Sequence, residues 1–203
     1  MPLSPEVVSE NLARIRAEIG PTPTIVAATK YVDLEDMAAL AEAGVEVVGE
    51  NRLQDLLAKH ARYGDRFRWH FIGHLQSRKA RDVSGVCELL HSLDSLSAAR
   101  RVGIPALVEV NLSGEETKGG VMPAELGGFL ADVRELGVDV RGLMTMPPLA
   151  SDPEESRPYF RRLRELAGEH GLAELSMGTS QDYHVAAEEG ATLVRVGSIL
   201  YGR

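Results

Sequence analysis

Thr24-Ile25-Val26-Ala27-Ala28-Thr29-Lys30 is the stretch from which the rest of the chain can be read. Ile25 to Thr29 are small or apolar and make a short buried strand, and the lysine marks where that strand ends. Tyr31-Val32-Asp33 turns away behind it. Two readings of Lys30 stand at this point. A lysine at a strand end can simply carry its charge to solvent on a long stem. Partly desolvated there, it has a lowered pKa and is a nucleophile towards an aldehyde. Lysine is scarce in this chain: Lys30, Lys59, Lys79 and Lys118 are four of 22 basic side chains, and arginine supplies the rest.

Outward from this strand, the same unit recurs. Upstream, Ser4-Pro5-Glu6 combines an N-cap, a proline at the first helical position and an acid in the first turn. Val7, Val8, Leu12, Ile15 and Ile19 follow helical spacing, and Gly20-Pro21 stops the run. Downstream, strands are expected at 45–51, 68–73, 88–94, 105–111, 140–146, 174–178 and 192–197. Helices are expected between them at 33–43, 53–63, 77–83, 123–136, 152–170 and 183–189. Eight short apolar strands alternating with helices predict a parallel α/β fold, a single (β/α)8 barrel with an extra N-terminal helix. A doubly wound open sheet is the alternative, but no Gly-x-Gly-x-x-Gly follows the first strand. The fourth unit is short: residues 95–104 leave room for about two helical turns. Closure of the barrel is expected to be weakest there. With no linker or low-complexity segment in view, one domain over 1–203 is the expectation.

The bulk properties narrow the function. The 203 residues are 44% hydrophobic, enough for a sizeable core, and carry a net charge of −8. That balance argues against a broad nucleic-acid or anionic-membrane surface, while leaving room for a local anion pocket. The single cysteine, Cys87, makes no internal disulfide and reads as a small core residue. The N-terminus has no basic and apolar leader pattern, and no apolar run approaches ~18 residues, so a cytoplasmic protein is expected.

In such barrels chemistry gathers at the C-terminal ends of the strands. Those ends read Lys30, Glu50-Asn51, His70 to His74, His91 to Asp94, Glu109 to Asn111, Met144 to Met146, Ser176 to Ser180 and Arg195 to Ser198. The last two combine glycine with hydroxyls, as an anion cradle does, and phosphate binding by the loops after strands 7 and 8 is a recurrent barrel feature. Ordinary βα turns favour the same residues. Arg195, flanked by Val194 and Val196, faces the barrel interior and must have a partner: a phosphate, a ring nitrogen or a carboxylate. His70 and His74 straddle a strand and its turn, which is not the geometry of a helical zinc pair. His91, His170 and His184 read as satisfied or exposed side chains, and no nucleophile elbow accompanies Ser92 and Asp94.

These residues lie in motifs that resemble the pyridoxal phosphate homeostasis protein family, single-domain relatives of bacterial alanine racemase. The resemblance rests on Ala27-Ala-Thr-Lys30, Val48-Gly-Glu-Asn51, Trp69-His-Phe-Ile-Gly-His-Leu-Gln-Ser77, His91-Ser-Leu-Asp94, Val110-Asn111, Gly142-Leu-Met-Thr-Met146, Leu175-Ser-Met-Gly178 and Val194-Arg-Val-Gly197. It implies pyridoxal 5′-phosphate (PLP) held as a Schiff base on Lys30. It implies phosphate contacts from Ser180, Gly197 and Ser198, Arg195 facing the pyridine nitrogen, and Asn51 and Met144 lining the ring pocket. Lys118, within Glu116-Thr-Lys-Gly-Gly120, matches a second lysine that serves as a transient acceptor. Thr179 stands where the family usually has Met, Ser198 where it has Thr, and Tyr183-His184 where an aromatic and an acid are common.

Arginine stays protonated, so a ring nitrogen facing it tends to stay unprotonated and the ring is a weaker electron sink. The favoured expectation is a non-catalytic PLP carrier with no catalytic residues of its own, a monomer whose recipients are apo PLP-dependent enzymes. The alternatives are a PLP-dependent amino-acid racemase using Lys30 with Tyr31, His70 or His91, and a barrel for another phosphorylated metabolite.

Overall fold

The computed structural model describes residues 2–115 and 118–202, so Glu116 and Thr117 of the Lys118 motif lie outside the described residues. Its centre is a closed barrel of eight parallel strands in sequential order. The strands are β1 (Thr24–Ala28), β2 (Val47–Glu50), β3 (Arg68–Phe71), β4 (Leu89–Leu93), β5 (Ala106–Glu109), β6 (Val140–Met144), β7 (Glu174–Ser176) and β8 (Leu193–Val196). Closure is made by β1, which pairs with β2 on one side and β8 on the other. The architecture is therefore the (β/α)8 barrel expected from the alternation, with helix α1 (Pro5–Ile19) ahead of it. The Ser4 side chain caps α1 by accepting from the Val7 N–H, and Val8 and Ile15 are fully buried.

Side-chain alternation divides the apolar residues into two groups. Val26, Val47, Leu89, Leu107, Met144 and Leu193 pack together inside the barrel. Their strand neighbours, such as Ile25, Ala27, Val48, Leu90, Val108, Leu143 and Val194, belong to a larger shell under the helices. That shell is covered by α2 (Met37–Glu42), α3 (Leu53–Tyr63), α4 (Ala80–Ser84), α5 (Leu96–Ala99), α6 (Leu126–Glu135), α7 (Arg157–Glu169), α8 (Tyr183–Glu188) and α9 (Ser198–Tyr201). Met37, Leu40, Leu56, Val83, Leu126, Leu130, Phe160 and Leu163 are its most deeply buried helical residues.

The short fourth unit closes after all. α5 is a single turn, with the Ser95 side chain accepting from the Ala98 N–H. Leu90 pairs with Ala106 and Leu93 with Val108, so β4 carries one extra residue across this step. A second register shift follows on β5–β6, where Ala106 pairs with Val140 and Leu107 with Gly142. Elsewhere the observed elements are shorter than the sequence pattern. The strands end before the 45–51, 105–111, 140–146 and 174–178 runs do, although backbone bonds continue past them: the Val110 N–H donates to Met144 O at 2.8 Å and the Met177 N–H to Leu193 O at 3.1 Å. The 33–43 pattern begins as turns, and the 152–170 pattern opens with a 3-10 segment, Pro153–Ser156, under an Asp152–Glu155 capping box.

Candidate functional site at the barrel mouth

Lys30 lies two residues beyond β1 and keeps the interior parity of Val26 and Ala28. Thr29 O accepts from the Val32 N–H at 2.9 Å, so Lys30 and Tyr31 are the central residues of a tight turn. Neither has a positive φ. The sequence left two readings of this amine open, exposed or partly desolvated. The structure exposes Lys30, with its Nζ 4.7 Å from the Tyr31 ring centroid. Desolvation of this amine therefore has to come from a ligand.

The neighbouring strand brings Asn51 to the same level, since Ala28 pairs with Gly49 two residues below each of them. Asn51 is half-buried, and its Oδ1 is buried without a hydrogen-bond partner among the described residues. Such an acceptor costs free energy unless a ligand or water satisfies it. Gly73 lies against it: a Cβ there would stand 2.4 Å from Asn51 O, so only glycine fits the approach. Met144 at the end of β6 is buried in the interior cluster and paired in register with Glu109.

The loops after β7 and β8, where the sequence suggested an anion cradle, lie against each other. The Gly197 N–H donates to Ser180 Oγ at 3.0 Å, which joins the two loops. Gly197 lies against β1: a Cβ on it would be 3.5 Å from Ala28 O, and the Tyr201 hydroxyl donates to that same oxygen at 3.1 Å. The cradle is thus tied to the strand that leads to Lys30. Ser198 is exposed at the start of α9 and makes no contact with Ser180 among the described residues. Gly178 has φ 89° and lies where a Cβ would come within 2.5 Å of the Ala186 Cβ, so backbone and packing both require glycine. Thr179 holds the loop itself: its N–H and hydroxyl donate to Asp182 Oδ1 at 2.7 and 3.0 Å.

Arg195 is buried in the barrel interior, and its hydrogen bonds go to neutral groups. It donates to Ser176 Oγ, to Thr145 O at 3.0 Å and to Met146 Sδ at 3.0 Å. Burial lowers its pKa to about 10, with Glu109 and Asp182 opposing the shift, so it remains a cation at neutral pH. Behind it runs a buried polar chain. His91 Nδ1 lies 2.8 Å from Ser176 Oγ, and His91 Nε2 lies 2.9 Å from His70 Nδ1. Arg195 donates to the Ser176 hydroxyl, and the neutral His91 ring bridges Ser176 to His70, one of its nitrogens donating and the other accepting. Burial holds both imidazoles neutral: the His70 pKa falls to about 4, with Arg68 adding to the effect, and that of His91 falls well below its ordinary value.

On the opposite wall, Glu109 keeps interior parity with Leu107. Burial raises its pKa, Asp94 adds to the rise, and Arg195 and His74 oppose it. Lys118 lies in the following loop, paired with Glu115 at 2.9 Å. Asn111 holds that loop by donating to Glu115 O and Lys118 O at 2.9 and 3.2 Å.

Ser176, Glu109, His70 and His91 stood among the strand ends read from the sequence, the two histidines also as partners of Lys30 in the racemase alternative, whereas Asp182 was not singled out. Their interior parity, read strand by strand, was the available signal for all but Asp182. That two histidines on adjacent strands would share a hydrogen bond follows only from the β3–β4 register.

With that geometry in hand, the comparisons with known proteins fall into place. The family described as alanine racemase, N-terminal domain, matches residues 4–203, which places the barrel in that class. A pyridoxal phosphate homeostasis protein of Aquifex aeolicus is 44% identical over 195 residues, covering 88% of this chain and 86% of the relative. One of Pseudomonas aeruginosa is 37% identical over 218 residues, covering 96% and 95%. The chain belongs to the pyridoxal phosphate homeostasis protein family. Among solved structures, PipY of Synechococcus elongatus PCC7942 with PLP bound superposes with a TM-score of 0.87 at 33% identity, covering 96% of this chain and 100% of that one. The alanine racemase of Corynebacterium glutamicum superposes with a TM-score of 0.78 at 16% identity, a likeness of fold that covers 62% of the racemase chain.

Proposed function

We propose that this protein binds pyridoxal 5′-phosphate in the barrel mouth, with Lys30 as covalent anchor, and serves PLP homeostasis without catalytic turnover. The observation that carries the reading is the Ser180–Gly197 cradle, seated against Ala28 on the strand that leads to Lys30. The donor set fits the cofactor. The Gly197 N–H and the Ser180 and Ser198 hydroxyls suit a phosphate, the Asn51 amide offers its unpartnered oxygen, and Met144 is an apolar wall. Arg195 is the donor for the pyridine nitrogen, held in place by Ser176 and Thr145. When bound, the cofactor supplies an aldehyde that the Lys30 amine takes covalently.

Support for a carrier comes from the partners of Arg195. A permanent cation at the ring nitrogen leaves the ring unprotonated and a weak electron sink. His70 and His91 are committed to the buried chain behind Arg195. Curated relatives bear the name of homeostasis proteins. In this reading apo PLP-dependent enzymes receive the cofactor from a cytoplasmic, monomeric single-domain carrier. Among the described residues no helix is long and apolar enough to cross a membrane.

Borohydride reduction of the PLP-loaded protein, followed by peptide mass mapping, should place a pyridoxyl group on Lys30. Its absence from Lys30 would end the proposal. Chiral analysis after incubation with a panel of amino acids separates carrier from racemase, since turnover lost in Lys30→Ala would overturn the non-catalytic reading.

A further inference from the structure

Behind the Lys30 turn lies a buried ion pair that the binding site itself does not use. Glu50, the last residue of β2, is fully buried, and Lys59 on α3 is 5% exposed. They form a direct salt bridge. Both groups also reach the backbone that carries the site. Lys59 Nζ donates to Thr29 O at 2.7 Å, the same carbonyl that accepts from Val32 N–H to close the turn around Lys30. The Thr29 hydroxyl donates to Glu50 Oε1 at 2.7 Å, and the Asn51 N–H donates to Glu50 Oε2 at 3.2 Å.

We propose that Glu50 and Lys59 are positioning residues for Lys30 and Asn51: one ion pair clamps the ends of β1 and β2, so that the lysine turn and the asparagine arm enter the mouth in a fixed relation. The inference rests on the reading of Lys30 as the anchor. Its physical basis is that a buried carboxylate must have its oxygens satisfied, and here three different donors do so, two of them from the site-bearing segments. A pair serving only to dock α3 would have no need of Thr29 O. The turn it braces contains no glycine and no proline, so its shape depends on its hydrogen bonds rather than on restricted backbone angles.

The test pairs Glu50→Gln with Lys59→Met, which removes both charges together and leaves no buried ion unpartnered. Two readouts are taken. Amide hydrogen exchange at Val32, in the protein without cofactor, reports the turn directly. The rate of borohydride-trapped labelling of Lys30 by PLP, relative to Lys79, reports the geometry of the anchor. The expected result is an acceleration of about tenfold at Val32, with the mid-strand amides of Val26 and Val48 unchanged. Labelling of Lys30 should slow by about tenfold or more relative to Lys79. A folded double variant with wild-type exchange at Val32, or with wild-type labelling of Lys30, overturns the proposal. Thr29→Val covers the case in which the double variant fails to fold. It cuts the tie to Glu50 and keeps the ion pair, and should move both readouts in the same direction by less; no movement overturns the proposal. If the wild-type protein labels elsewhere than Lys30, the PLP reading fails on its own account, and Val32 exchange still decides whether the clamp holds the turn.

Discussion

Acidification should destabilise this protein through its two interior histidines, and the loss should shrink when His70 is removed. In the folded state the His70 pKa lies at about 4, with burial as the main cause and Arg68 as the second. His91 is depressed further by burial, His70 and Arg195. A folded-state pKa below the unfolded value means that the unfolded chain takes up protons first. Stability is then complete above the unfolded pKa of about 6.5 and falls as pH drops from there towards the folded pKa. Between about pH 7.5 and about pH 5, a histidine with the folded pKa of His70 removes about 2 kcal/mol, and His91, depressed in the same direction, adds to the loss. Glu109, whose pKa is raised, works in the opposite sense, stabilising as pH falls. Its contribution is common to wild type and variant and drops out of their difference. His70→Phe keeps an aromatic ring on β3. At neutral pH it should cost ~1–3 kcal/mol, because the buried His91 Nε2 loses its hydrogen-bond partner. Its acid loss over the same interval should shrink by about 2 kcal/mol, the share of His70. Urea unfolding at both pH values is readable through Trp69, the single tryptophan, which is 2% exposed. A variant that keeps the full acid loss, or a His70 imidazole that titrates near its ordinary value by NMR, would refute the reasoning.

Three further outcomes are expected. Lys59→Met alone strands the fully buried Glu50 carboxylate and should cost ~3–5 kcal/mol in urea unfolding, most of which returns when Glu50→Gln is added. Ser180→Ala removes the acceptor of the Gly197 N–H and a cradle hydroxyl, and should weaken PLP retention on dialysis by about ten- to a hundredfold with little change in Tm. Cys87, whose pKa is pushed up to about 12 by burial and by Glu50 and Glu88, should resist a thiol reagent in the native protein and react at once in urea.

Much of the fold was legible because it is written in local pattern. The Ser4-Pro5-Glu6 start of α1, the 53–63 helix and the eight apolar runs need only neighbouring residues to be recognised. The strand ends followed from them, since a barrel places those ends at one mouth, and so Lys30, Asn51, Ser180 and Gly197 could be named beforehand. The exposure of Lys30 was one of two readings the sequence allowed, and the choice fell to the turn at Thr29 O, which involves Val32 nearby and Lys59 thirty residues away.

By itself, then, the sequence determined the order of elements, the two faces of each strand and the chemical types gathered at the mouth, all of which depend on spacing along the chain. Tertiary structure alone decided the partners of the buried polar groups. Arg195 meets Ser176 and Thr145, His91 meets His70 and Ser176, and Glu50 meets Lys59 and Thr29. Those pairings join residues as many as 85 positions apart, and a low-dielectric interior makes each of them obligatory only once the barrel has closed around it.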